Sequence, residues 1–116
     1  MPNPVVHFEI LGTDGKALQQ FYADLFGWKV NADNPMEYGL VDTGAGEHAA
    51  GGGICASESG PQTLFYVQVD DPQAYLDKVV AAGGKVVHPV EEIPNMVTFA
   101  QFADPQGNVV GLVKAA

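Results

Sequence analysis

His7 and Glu9 stand two residues apart in "PVVHFEI", a run that is otherwise apolar. In an extended strand alternate side chains share a face, so His7 and Glu9 point one way with Val5, while Val6, Phe8 and Ile10 point towards a core. An imidazole near a carboxylate can ligate a divalent metal, move a proton, or hydrogen-bond an organic ligand. A transition metal asks for three or four protein donors, and His7 is one. Glu9 lies about 6–7 Å further along the same face and would have to bend back to share an ion. Cys55, the single cysteine, is a third donor by chemistry, but a small buried hydrophobe by habit. As polar handles in a ligand pocket the pair asks for less, since such pockets are apolar with a few placed polar groups. Further handles come from "TLFYVQV", where Tyr66 and Gln68 share a face, and from "MVTFAQF", where either Phe99 and Gln101 or Thr98 and Ala100 point inward. The plainest alternative is that His7 and Glu9 bond only to each other or to neighbouring strands.

The elements that would position these residues are legible in the spacing. After the opening strand, Thr13 or Asp14 can cap a helix whose Leu18, Phe21, Tyr22 and Leu25 fall on one face, with Gly27 as terminator. Strands follow at "WKVN", "EYGLVD" and "GGGICA". The second half repeats the order. "TLFYVQV" alternates as a strand, Asp71-Pro72 opens a helix with Leu76, Val79 and Val80 as its buried stripe, and Gly83 ends it. "KVVH", "MVTFAQF" and "NVVGLV" complete the set. "FGWKV" after the first helix matches "AGGKV" after the second, so the chain reads as an internal repeat of strand, helix and three strands. One domain over residues 1–116 is expected, with a first module at about 3–56 and a second at about 62–115.

Other residues read as less chemical. Trp28 packs at a sheet edge or a dimer seam. His48 and His88 face solvent. Glu91-Glu92 lies in an exposed loop which, with residues 43–50, can act as a lid. "GAGEHAAGGG" lacks the lysine and helix of a phosphate-binding loop, and there is no serine nucleophile elbow.

Composition removes several function classes. Five basic against fourteen acidic residues give a net charge of −9, which argues against nucleic acid and against electrostatic attachment to anionic membrane. A cationic small ligand suits that charge. No apolar run approaches the roughly 20 residues of a membrane span, no secretory leader is visible, and a lone cysteine fits a cytoplasmic protein without disulfides.

Taken together, the paired units, "HFEI…FYADLFGWKV", "VDDPQAYLDKVVAAGGKVV" and "DPQGNVVGLV" resemble the vicinal oxygen chelate superfamily of glyoxalase I, bleomycin-resistance proteins and ring-cleaving dioxygenases, closest to its small glyoxalase-related members. The resemblance implies an α+β fold, two βαβββ modules forming a cup-shaped mixed sheet, completed across a homodimer. It implies up to four metal ligands, on the first and last strands of each module. His7 matches one; Leu64 and Gly111 stand at two others, and the stretch around Gly53, Ile54 and Cys55 offers no carboxylate. No cofactor is therefore assigned, and a divalent metal at His7 is the alternative. The expected function is binding of a small organic molecule in a cup containing His7, Glu9, Tyr66, Gln68 and Gln101. The alternatives are a metal-assisted lyase, isomerase or dioxygenase with Glu9 as the catalytic base, and an acidic drug-sequestering binder.

Overall fold

A computed structural model describes residues 2–44, 46 and 49–115. The expectation that His48 faces solvent lies outside the described residues. The chain divides into two compact units, residues 7–64 and residues 1–6 with 65–116.

The first unit holds most of β1 (Val5–Gly12), then α1 (Gly15–Phe26), β2 (Lys29–Asn31), β3 (Gly39–Asp42) and β4 (Gly51–Ala56). Its sheet runs in the order β2-β3-β4-β1. The pairs β2–β3 and β3–β4 are antiparallel, whereas β4 lies parallel to β1 and sets Gly53 beside Glu9 and Cys55 beside Leu11. Asp14 caps α1 by accepting from Ala17 N at 3.1 Å, and Gly27 closes it at φ +71°, a left-handed conformation that costs glycine nothing.

The second unit holds most of β5 (Gln62–Val69), then α2 (Pro72–Ala81), β6 (Lys85–Ile93), β7 (Val97–Ala103) and β8 (Val109–Lys114). Its order is β6-β7-β8-β5, again with one parallel pair, β8–β5, and otherwise antiparallel neighbours. Asp71 caps α2 and Pro72 takes its first turn. Val69, Leu76, Ala100 and Leu112 form the core, with Tyr75, Val90 and Phe102 packed on it. The α+β class and the repeated βαβββ order expected from the sequence are both present.

Several expectations are corrected. Glu91 and Glu92 are not in a lid loop: they lie within β6, opposite Phe99 and Thr98. β6 also carries Pro89: the strand ends its unit's sheet order, where a missing N–H is tolerated, and the register shifts around His88 absorb the ring. His88 stacks on Phe99 at 5.0 Å and bonds Glu91 at 2.8 Å. In α2 only Pro72 and Leu76 are buried, and Val80 is exposed. No residue of α1 is buried at all, and Phe21, Leu25 and Phe26 are each more than half exposed. Trp28 draws Tyr22, Phe26 and Phe8 into an aromatic cluster with centroids 5.0–5.7 Å away, so the helix packs through its margin. On β1 burial does not follow the alternation: Glu9 is 8% exposed, whereas Val6 is 41% and Val5 61% exposed.

Candidate functional site

The cover over Glu9 is Tyr38, a residue the sequence reading passed over. Tyr38 immediately precedes β3, and its ring lies across Gly53, the partner of Glu9 in the sheet; a Cβ at Gly53 would fall inside that ring. The phenol therefore reaches the strand beyond. Its oxygen is 2.8 Å from His7 Nε2, and its hydrogen goes to Glu9 Oε2 at 2.8 Å. A phenol carries one hydrogen, so with that hydrogen on Glu9 the imidazole donates through Nε2–H. His7 is half-buried, and burial holds its pKa below the ordinary histidine value, which favours the neutral ring. The order is His7 Nε2–H to Tyr38 O–H to Glu9 carboxylate. The phenol thus joins His7 to Glu9.

Two residues along β4, Cys55 faces the same side as Gly53. Burial, then the charge of Glu9, raises the thiol pKa to about 11, so it is protonated at neutral pH and unreactive as a nucleophile. Beside Tyr38 and Cys55 opens a cavity of about 500 Å3, walled also by Lys16, Met36, Glu37 and Ala56.

The other unit repeats the device. Tyr66, Gly111 and Gln101 stand abreast on β5, β8 and β7. The buried Tyr66 ring lies over Gly111, again occupying the space of a Cβ, and its oxygen accepts from Gln101 Nε2 at 2.8 Å. Gln68 is half-buried two residues further along β5, opposite Val113. The structure thus joins His7 with Glu9 in one unit and Tyr66 with Gln101 in the other.

A family model, Glyoxalase/Bleomycin resistance protein/Dioxygenase superfamily, matches residues 5–112. The chain belongs to this superfamily. The glyoxalase-superfamily chain is 36% identical over 113 residues to "Putative glyoxylase CFP32" of Mycobacterium tuberculosis, covering 89% of this chain and 42% of that protein. It therefore spans less than half the length of this relative. It is 32% identical over 108 residues to a "Glyoxylase-like domain-containing protein" of Didymella fabae, covering 86% of this chain and 84% of the other. In structure it is similar to a superfamily member from Vibrio splendidus 12B01, with TM-score 0.63, 19% identity, and coverage of 98% and 100% of the two chains.

Among the described residues, the donors do not fit the metal expected of this superfamily's enzymes. Among the described residues no three histidine, cysteine, aspartate or glutamate side chains gather where an ion could sit. His7 and Glu9 both hydrogen-bond the phenol, the Cys55 thiol holds its proton, and tyrosine rings lie over Gly53 and Gly111. Leu64 is buried and apolar. The arrangement suits hydrogen bonding and proton transfer instead. Tyr38 left one trace in the sequence, the glycine opposite Glu9, which clears room for a ring that only the fold brings there.

Proposed function

We propose that this glyoxalase-superfamily chain binds a small polar organic molecule without a metal ion, in the cavity beside Tyr38 and Cys55. The observation that carries the reading is that Tyr38, whose phenol hydrogen-bonds His7 and Glu9, is also one of the residues lining the cavity, which His7 and Glu9 do not line themselves. A volume of about 500 Å3 lies within the roughly 300–1,000 Å3 of small-molecule sites. Met36 and Ala56 supply apolar wall, while Lys16 and Glu37 can pair with a ligand's charges. Tyr66, Gln68 and Gln101 are proposed as ligand contacts on the face of their own unit, and a homodimer as the working form. The net charge of −9 supports cationic over anionic ligands, as a drug-sequestering protein would require.

A second reading makes the chain an enzyme with Glu9 as general base. It is favoured by the phenol donating to Glu9 Oε2 at 2.8 Å, which fixes the carboxylate in place as a general base requires. The metal-assisted form of that reading has no group of three donors to support it among the described residues.

The test is a screen of small organic cations, zwitterions and carboxylates by thermal shift, followed by calorimetry on each hit, since a ligand of the native state raises the melting point. Hits should lose affinity in Tyr38→Phe and Glu9→Gln. A hit that binds these variants as it binds the wild type sits elsewhere, and the reading is then wrong.

A further inference from the structure

Tyr38 lies outside any strand, so the sheet does not hold it. Among the described residues, the side chain of Asn34 holds its backbone. Asn34 Oδ1 accepts from Tyr38 N at 3.0 Å, and Asn34 Nδ2 donates to Tyr38 O at 2.8 Å, the two bonds a neighbouring strand would otherwise supply. Between them the chain turns through Glu37, a non-glycine residue at φ +51°, which L side chains adopt at a cost. Glu37 N donates to Asn34 O at 3.0 Å. Gln19, reaching across from α1, donates through Nε2 to Glu37 O at 3.2 Å and to Ile54 O at 2.7 Å. Ile54 follows the glycine beneath the Tyr38 ring, so one amide ties the turn to the strand it covers. Gly39 makes this approach possible, because a Cβ there would stand 2.7 Å from Gln19 Nε2 and 2.8 Å from Val30 Cγ1.

We infer that Gln19 and Asn34 are positioning residues, whose amides set the Tyr38 phenol between His7 and Glu9. The inference rests on the proposed role of Tyr38 at the ligand cavity, and names what makes that role possible. A phenol bonding two partners at 2.8 Å tolerates little displacement, since a hydrogen bond weakens steeply with distance and angle. A turn with a left-handed glutamate has more relaxed conformations to fall into once its clamps are gone. Gln19 lies on α1, and its amide is the part that reaches the turn and β4.

The experiment reads the ring nitrogens of His7 by long-range 1H–15N correlation in the intact, ligand-free protein, well below its melting temperature. The His7 signals are identified by their loss in His7→Gln. Tyr38→Phe should move them, because the Nε2–H loses its acceptor. Gln19→Met and Asn34→Ala should move them in the same direction, and Asn34→Asp, which keeps the acceptor for Tyr38 N, should move them less than Asn34→Ala. A merely stabilising residue would lower the melting point and leave the His7 signals in place. Should either amide variant keep wild-type His7 signals, that residue is struck from the assignment; if both do, the inference is overturned. Gln19→Glu provides a second folded variant that removes the donor while keeping the length. Because no ligand is present, failure here is separate from failure of the ligand screen.

Discussion

Tyr38→Phe removes one oxygen and leaves the ring that lies across Gly53. The lost atom is the acceptor for His7 and the donor to Glu9, a carboxylate only 8% exposed. A hydrogen bond to a charged group is worth about 1.5–3 kcal/mol net, and the ring packing is unchanged, so the variant should lose about that much. For a chain of 116 residues, roughly 4 °C per kcal/mol converts this to a fall of about 6–12 °C in melting temperature. Urea unfolding should show the same loss through the midpoint with the slope unaltered. Glu9→Gln keeps an acceptor but removes the charge, and the double variant should show a coupling of about 1 kcal/mol with Tyr38→Phe. A single variant within about 0.5 kcal/mol of wild type, or additive losses in the cycle, would refute the hydrogen-bonded chain as an energetic unit.

Cys55 supplies a pH signature. Its thiol is raised from 9.0 to about 11 by burial and by Glu9, so the folded chain binds more protons than the unfolded one between those values, and stability should fall as pH rises from about 9 to 11; Cys55→Ala should flatten that limb in urea titrations. Burial lowers the pKa of His7, so stability should decline as pH falls below the unfolded value of about 6.5, where only the unfolded ring takes a proton; His7→Gln should remove the decline. Gly111→Ala drives a Cβ into the Tyr66 ring and should cost about 1–3 kcal/mol, with loss of the Gln101 bond visible at the Gln101 side-chain amide by NMR. Phe21, Leu25 and Phe26 are exposed on α1, and a symmetric dimer is expected; sedimentation showing only monomer at micromolar concentration would exclude it. Zinc, nickel, iron and manganese measured after chelator-free purification should fall short of one tightly held equivalent per chain, and one equivalent lost on His7→Ala would show that the donor count is wrong.

The order of elements was readable from residues alone because its signals are local. Asp14 and Asp71 cap the helices they precede, Gly27 stops the first at a left-handed residue, and period-two alternation marks β5. The repeat in letters carried the βαβββ pairing, and His7 and Glu9 were singled out by standing polar in an apolar strand. What tertiary structure decided was which face is covered and by what. Alternation on β1 assigned Glu9 to an open face, yet Tyr38, 29 residues later in sequence, buries it across Gly53. Glu91-Glu92 looked like a loop because propensity is a local quantity, whereas their place in β6 is set by pairing with Phe99 and Thr98. The stripe of α2 looked buried because periodicity reports amphipathicity without reporting a partner, and of its residues only Leu76 is buried while Val80 stays exposed. The amides of Gln19 and Asn34 are ordinary letters in the sequence. They acquire a role only where the fold brings backbone atoms of Glu37, Tyr38 and Ile54 within 3.2 Å of them, because a hydrogen bond depends on position in space and not on separation along the chain.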